Sequence, residues 1–177
     1  MISSAFDLGE DLKKKTVPYS LSREIWFKFD FPDLGVDISF SNWESIKYLN
    51  DTGDDLNEDT NEIPNESGGL YLFYVNCEVL PIMTCFPFYI GRAKYTDSHN
   101  LRKRVRSYFQ KYMRSQERPK ITRMLNYWKE DLFVAYITIN SNDHIDQLEE
   151  YLINSLVLPM NDEIPDIEVR QAKKAFS

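Results

Sequence analysis

Two tyrosines stand beside glycines within one short stretch of the sequence, in Gly69-Leu70-Tyr71 and in Tyr89-Ile90-Gly91. Both segments lie in runs typical of β-strands, where aromatic side chains ordinarily pack against a sheet. A phenol can also orient or deprotonate a water molecule during hydrolysis. The pattern therefore leaves two interpretations open: ordinary packing, or two hydroxyl groups that serve one reaction.

A second candidate for chemistry is a carboxylate on the apolar face of the last predicted long helix. At roughly 100° per residue, Glu149 falls inside the apolar stripe of this helix, whereas Glu150 points away. The stripe consists of Ile145, Leu148, Leu152, Ile153 and Leu156. A buried carboxylate is costly unless a cation or hydrogen-bond donors meet it. Its candidate partners are a metal ion and Arg104, which flanks the apolar stripe of an earlier helix; a purely structural Glu149–Arg104 pair is the alternative.

Together, these residue types fit phosphodiester chemistry. A carboxylate can hold a hard divalent cation, an arginine can neutralise phosphoryl oxygens, and a phenol can position a water. No Ser/His/Asp arrangement is evident, because His99 and His144, the two histidines, fall in predicted loops. Cys77 and Cys85 are too few for a disulfide scaffold or a four-cysteine metal site, so two free thiols are expected.

The charges are distributed unevenly along a chain whose net charge is -7. Residues 1–67 hold 6 Lys/Arg against 15 Asp/Glu, whereas residues 92–129 hold 12 Lys/Arg and two acids, Asp97 and Glu117. A concentrated positive segment beside aromatic side chains suits a polyphosphate partner. The candidate nucleic-acid-binding cations are Arg92, Lys94, Arg102, Lys103, Arg106, Lys111, Arg114, Lys120 and Arg123.

The elements that must position these residues are predicted in the order ββααβα. Residues 70–75 and 86–90 form two strands joined by a hairpin around Pro81, and residues 132–139 form a third strand. Asn100 caps a helix over residues 101–114, and Pro119 opens a second helix. A last helix follows the third strand and ends before Pro159. This order predicts an α+β fold.

The N-terminal third is predicted to be an extension of this unit. Within residues 1–50, residues 24–31 form a strand, and Ser41 caps a short helix that extends to Leu49. Residues 51–67 are acidic and nearly devoid of large apolar side chains, so a flexible linker that buries no core is expected there. Residues 68–177 form the predicted catalytic domain.

At these positions the sequence resembles the GIY-YIG nuclease superfamily, over residues 68–161. Gly69-Leu70-Tyr71 is similar to the first signature, with Leu in place of Ile, and Tyr89-Ile90-Gly91 matches the second. Arg104, Glu149 and Asn161 follow at family-like positions, and ββααβα is also the order of the family. The resemblance implies a small central antiparallel three-stranded sheet flanked by helices.

The resemblance also implies a role for each matching residue. Tyr71 would act as general base or orient the attacking water, and Tyr89 would support it across the hairpin. Arg104 would stabilise the pentavalent phosphate, and Glu149 would ligate one Mg²⁺ or Mn²⁺ ion per active site. Asn161 would hold the active-site wall or the product phosphate.

Two features depart from the family pattern. Many members carry a histidine one turn after the arginine; here that position is Tyr108, which is expected to hydrogen-bond Tyr71 or a phosphate. Seventeen residues separate Tyr71 from Tyr89, which is longer than the usual family spacing. The extra residues, around positions 77–86, are expected to form a projecting loop.

The expected function is that of a stand-alone, restriction- or phage-type endonuclease that needs a divalent metal ion and acts on duplex DNA. A cytoplasmic location is expected, because the N-terminus lacks the apolar core of a secretory signal and no apolar run reaches the roughly 20 residues of a membrane span. A homodimer with the aromatic strand at residues 24–31 as its interface is a further expectation. Two other functions stay open: a non-catalytic nucleic-acid-binding module, and a protein-interaction domain whose acidic N-terminal third covers its own basic face.

Overall fold

The centre of the molecule is a four-stranded antiparallel sheet, seen in a computed structural model that describes residues 4–80 and 83–175. Its strands are β1 (Glu44–Lys47), β2 (Gly68–Asn76), β3 (Cys85–Ala93) and β4 (Leu132–Ile139), in the spatial order β1-β4-β2-β3. The helices of the described residues are α1 (Ala5–Lys15), α2 (Arg23–Trp26), α3 (Leu101–Met113), α4 (Pro119–Tyr127), α5 (Asn142–Leu156) and α6 (Ile167–Ala175). The predicted α+β class is confirmed, and the elements from β2 to α5 follow the predicted order ββααβα. No helix in the described part of the chain is both long and apolar enough to cross a bilayer.

Alternating residues of β2 send their side chains into separate parts of the core. Tyr71, Phe73 and Val75 are buried in a cluster that contains residues of α3 and α4. Leu70 is buried in another cluster, together with Ile145 of α5. Because β2 is paired with β3 on one side and with β4 on the other, it holds Tyr71 on an interior strand of the sheet.

The fourth strand comes from the N-terminal third of the chain. β1 pairs with β4 in the register Glu44↔Tyr136, and the Tyr136 hydroxyl donates a 2.7 Å hydrogen bond to Glu44 Oε2. The prediction of a short helix from Ser41 to Leu49 was wrong, because the edge of β4 offers backbone partners that a local pattern does not reveal. The sheet is therefore wider than the three-stranded sheet that the family resemblance implies.

The strand predicted at residues 24–31 was also wrong. α2 occupies the first part of this segment, and the Ser22 hydroxyl accepts a hydrogen bond from Ile25 N at 3.3 Å. An N-cap serine satisfies a backbone N–H group at the start of a helix, and this local bond favours the helix over a strand. Phe27 and Phe31 are exposed after the helix. These residues therefore do not offer the strand that was expected to pair two copies of the chain.

Residues 51–67 contribute to the core despite their acidic composition. Thr60 and Ile63 are fully buried. The Asn57 side chain caps a 3₁₀ turn over Glu58–Asn61, and Arg102 Nε of α3 donates to the Ile63 carbonyl at 2.6 Å. The expectation that this segment buries no core was therefore wrong. Ile63 is buried in the core, and α3 holds its backbone in place through Arg102.

The hairpin between the two signature tyrosines is long because both strands extend past them. The pairing of β2 with β3 continues to Asn76↔Cys85. Of the segment expected to form a loop, residues 77–86, the last two therefore belong to β3, and the described residues before them lie outside both strands. Pro81, where the turn was predicted, lies outside the described residues. Cys77 and Cys85 are exposed free thiols, as expected. Since Asn76 is the residue opposite Cys85, the two thiols are not cross-strand partners.

Candidate active site

Three tyrosine hydroxyls form a hydrogen-bonded row beside a surface groove. β2 supplies Tyr71, β3 supplies Tyr89 and α3 supplies Tyr108. The hydroxyl oxygens of Tyr71 and Tyr108 are 2.7 Å apart, and Tyr108 donates to the Tyr89 hydroxyl at 3.1 Å. All three side chains are buried, and of the three it is Tyr89 that lines the groove. The two tyrosines singled out from the sequence therefore meet through Tyr108.

Arg104 joins this row from α3, one turn before Tyr108. Its Nε donates to the Tyr71 hydroxyl at 3.2 Å, and its Cζ lies 5.0 Å from the centre of the Tyr108 ring. A guanidinium over an aromatic face is favourable and is held in place by the ring. Arg104 is therefore half-buried beside the hydroxyl row, and it also lines the groove.

The row of hydroxyl groups has a direction. A phenol has one proton, so Tyr108, which donates to Tyr89, must accept from Tyr71. Tyr71 in turn accepts from Arg104. Tyr89 therefore keeps its own proton for a partner in the groove, and the positive charge at the start of the row strengthens that donor.

Burial keeps the inner hydroxyls protonated. It raises the pKa of Tyr71 and of Tyr108 above that of an exposed tyrosine, because a buried phenolate loses its hydration, and the charge of Arg104 offsets part of this effect. A neutral Tyr71 is a poor general base at neutral pH. Of the two roles expected for Tyr71, orientation of the reacting groups fits this environment better.

The glycine of the second signature leaves space for the tyrosine of the first. Tyr71 and Gly91 are cross-strand partners in the β2–β3 pair. A Cβ atom at position 91 would lie 2.5 Å from the Tyr71 hydroxyl oxygen, which is too close for any side chain. Gly91 thus allows Tyr71 to reach both Tyr108 and Arg104.

Glu149 lies on α5 with its side chain 17% exposed, as its place in the apolar stripe predicts, but its ion-pair partner is Arg92. Arg92 Nη1 lies 2.8 Å from Glu149 Oε2 and 2.9 Å from Asp146 Oδ1. Arg104 was one of the two candidate partners of Glu149, and the two side chains do not form an ion pair, because β3 brings Arg92 against α5 one residue after Gly91. Burial raises the pKa of Glu149, and the charge of Arg92 opposes that shift.

Asn161 binds the backbone of the strand that carries Tyr89. Its Oδ1 accepts from Ile90 N at 3.1 Å, and its Nδ2 donates to the Ile90 carbonyl at 2.8 Å. Met160 N donates to the Phe88 carbonyl at 3.0 Å just beside it. Asn161 is buried, so both amide bonds form away from water. This geometry fits the expected role of Asn161 in holding the active-site wall.

Several of the nine candidate nucleic-acid-binding cations hold other parts of the chain. Arg102 Nε donates to the Ile63 carbonyl, and Arg106 Nη1 donates to Asn61 Oδ1. These contacts form because residues 60–63 pack on this side of α3. Arg123 Nη2 donates to two backbone carbonyls at the end of α1, at 2.7 and 2.8 Å.

The remaining candidate cations differ in how far they are paired. Lys94 Nζ lies 2.5 Å from Asp146 Oδ2, and Lys120 Nζ lies 3.3 Å from Asp162 Oδ1. Arg114 is exposed at the end of α3. Lys103 and Lys111 line a second groove of about 620 Å³ whose lining contains no carboxylate. Since Arg104 and His99 line both grooves, the second groove leads towards the hydroxyl row.

Arg118 is a candidate that reasoning from the sequence missed. It directly precedes α4 and lines the first groove, and its Cζ lies 5.3 Å from the centre of the Tyr89 ring. The sequence carried one signal, which is that Arg118 follows Glu117, one of the two acids in the basic segment. Periodicity did not reveal Arg118, because the residue lies before a helix rather than on one.

The carboxylates near the groove fit a divalent cation whose remaining ligands come from water and substrate. Mg²⁺ is commonly bound by one or two carboxylates, with water and substrate phosphate oxygens as further ligands. Glu149, together with Asp146 one turn earlier, could provide the protein ligands once Arg92 releases its ion pair. Among the described residues there is no group of three or more His, Cys, Asp or Glu side chains arranged for a metal.

Comparisons of the chain with protein-family models, with curated proteins and with solved structures found no match. The resemblance to GIY-YIG nucleases therefore rests on the signature residues. In space, these residues lie on two neighbouring strands, on two helices and in the segment after α5, around one groove whose lining contains Tyr89, Arg104, Glu149 and Asn161. This arrangement is the basis for a functional hypothesis.

Proposed function

We propose that the protein is a divalent-metal-dependent endonuclease of the GIY-YIG type that hydrolyses phosphodiester bonds in DNA. One observation carries the proposal: an arginine-anchored row of three tyrosine hydroxyls ends at a groove of about 570 Å³ that a mostly buried glutamate also lines. The part of the fold from β2 to α5 has the element order of the superfamily, and β1 is an addition at the edge of the sheet.

In this proposal the substrate phosphate lies in the groove against Tyr89 and Arg104. Arg104 neutralises charge on the non-bridging oxygens, and the Tyr89 hydroxyl donates to a phosphoryl oxygen as negative charge develops on it. Tyr71 and Tyr108 keep these two donors aligned. Glu149 would hold a divalent cation, which would supply Lewis-acid chemistry at this position.

Cleavage of supercoiled plasmid DNA in the presence of Mg²⁺ or Mn²⁺ tests the proposal. We expect Glu149→Gln and Tyr71→Phe each to lose on the order of 10²-fold or more in rate, because the first removes the metal ligand and the second breaks the hydroxyl row. Glu130→Gln and Tyr127→Phe are matched controls, since both residues are exposed, and they should cleave like the unchanged protein. Cleavage that survives both active-site substitutions would sink this assignment.

The Arg92–Glu149 ion pair favours a second candidate, a DNA-binding module without turnover. While Arg92 holds Glu149, the carboxylate already faces a cation at 2.8 Å. Binding of duplex, branched or single-stranded DNA that is equally tight in EDTA and in Mg²⁺, with no cleavage of any of them, would support this alternative.

A further inference from the structure

Arg104 and Arg118 each lie against the ring of one tyrosine of the hydroxyl row. The Cζ of Arg104 lies 5.0 Å from the centre of the Tyr108 ring, and the Cζ of Arg118 lies 5.3 Å from the centre of the Tyr89 ring. The hydroxyls of these two tyrosines are 3.1 Å apart. Both arginines also line the same groove, so two guanidinium groups flank the position at which the Tyr89 hydroxyl is available.

Two carboxylates orient Arg118 without using its full donor capacity. Arg118 Nε lies 3.5 Å from Glu117 Oε1, and Arg118 Nη1 lies 3.3 Å from Asp162 Oδ2. Arg118 Nη2 and Glu117 Oε2 are both buried and have no hydrogen-bond partner among the described residues. By contrast, the ion pairs of Arg92 measure 2.8 and 2.9 Å. The carboxylate contacts of Arg118 are thus longer than those of Arg92.

The lining of the first groove carries no net charge from its Lys, Arg, Asp and Glu side chains, so binding of a phosphate there depends on individual contacts. This lining contains four Lys/Arg side chains, Arg92, Lys94, Arg104 and Arg118, and four acidic side chains, Glu149, Glu150, Asp162 and Glu163. A balanced groove does not attract a polyanion through its net charge. Arg92 and Lys94 are engaged by close carboxylates at 2.5 to 2.9 Å. Arg104 and Arg118 are therefore the cations best placed to bind a phosphate.

We propose that Arg118 is a second phosphate-binding group of this groove and that it works with Arg104 to hold one backbone phosphate of DNA beside the Tyr89 hydroxyl. This inference rests on the proposed nuclease function. A planar guanidinium donates two parallel hydrogen bonds to a phosphate, and it stays charged at any working pH. Arg118 would replace its long contacts to Glu117 and Asp162 with shorter bonds to the phosphate oxygens.

A structural role is the competing explanation for Arg118, because the Glu117 side chain is 4% exposed and Arg118 is its ion-pair partner. Removing the arginine alone would leave a buried carboxylate unpaired and could unfold the protein. The double variant Glu117→Gln, Arg118→Gln removes both charges together. Comparing it with Glu117→Gln alone separates the loss of the buried pair from the loss of a phosphate contact.

The test measures thermal stability, binding of a duplex oligonucleotide in EDTA, and Mg²⁺-dependent cleavage for these two variants, for Arg118→Lys and for Arg23→Gln. Arg23 is the matched control, because it also stacks on an aromatic ring, that of Phe27, but lies outside the groove. We expect the double variant to melt close to Glu117→Gln, to bind DNA about 10-fold more weakly, and to have a salt dependence reduced by about one phosphate contact. Arg118→Lys should recover part of the binding.

Two results would overturn the inference. A double variant that binds and cleaves like Glu117→Gln would assign Arg118 a structural role, while leaving the nuclease proposal intact. If the unchanged protein neither binds nor cleaves DNA, the nuclease proposal fails, and the assignment of Arg118 fails with it.

Discussion

At the scale of single residues, Tyr108 decides how the site can handle protons. Many GIY-YIG nucleases carry a histidine at this position, and an imidazole titrates near neutral pH. Burial raises the pKa of the Tyr108 phenol above that of an exposed tyrosine, so the phenol stays protonated. It accepts a hydrogen bond from Tyr71 and donates one to Tyr89. In the proposed reaction the row would therefore act through fixed hydrogen-bond donors rather than through a group that changes charge.

Substitution of Asn161 tests whether its side-chain hydrogen bonds to Ile90 stabilise β3. Asn161→Ala leaves Ile90 N–H and C=O without the amide that satisfies both, so we expect the free energy of unfolding to fall by about 1–3 kcal/mol. Urea unfolding measures this change. Asn126→Ala is the control, because Asn126 is exposed and accepts one bond from Tyr112, and it should stay within about 0.5 kcal/mol. Equal stability of the two variants would contradict the anchoring role.

At the scale of elements, the N-terminal third contributes a strand and buried side chains to the fold. β1 closes the edge of β4, and Tyr48, Leu49 and Ile63 are buried in the cluster that contains Tyr71. α1 differs from these elements, because none of its residues is buried. The part of the extension that packs beneath the candidate active site therefore begins after α1.

Two truncations test this division. Removal of residues 1–13 deletes most of α1 but keeps the Lys14 and Thr16 carbonyls that Arg123 binds, so the melting temperature should change by no more than a few degrees. Removal of residues 1–67 exposes the edge of β4 and opens the core, so cooperative unfolding should be lost. Calorimetry with circular dichroism distinguishes the two outcomes. A folded, more active protein after the longer truncation would instead support self-masking by the acidic segment.

At the scale of the whole molecule, the acidic segment, residues 1–67, and the basic segment, residues 92–129, do not neutralise each other through ion pairs in the part of the chain that the structure describes. Among the described residues, no carboxylate of residues 1–67 forms an ion pair with a cation of residues 92–129. The second groove carries Lys103 and Lys111 with no acid in its lining, whereas the first groove is charge-balanced. If the protein acts on DNA as proposed, non-specific attraction is expected at the second groove, next to the candidate active site.

The salt dependence of DNA binding tests whether the second groove attracts DNA. Lys103→Gln and Lys111→Gln should each reduce the slope of log K against log salt concentration by about one, because each removes one phosphate contact. Binding should weaken to a similar extent for all DNA sequences. Lys13→Gln on the exposed helix α1 is the control and should leave the slope unchanged. Slopes that match the unchanged protein for both groove variants would place the DNA elsewhere.

The sequence by itself determined the elements from β2 to α5 and most of their buried positions, because periodicity and capping act over a few residues. Leu156 is the exception, since the stripe of α5 predicts it to be buried and it is 36% exposed near the end of the helix. The sequence therefore placed Tyr71, Tyr89, Arg104 and Glu149 on the right elements. The tertiary structure decided which residues meet. β1 was missed because its partner strand lies about 90 residues further along the chain. The pairing of Glu149 with Arg92 and the approach of Arg118 to Tyr89 likewise depend on how strands and helices pack, and no local pattern records that geometry.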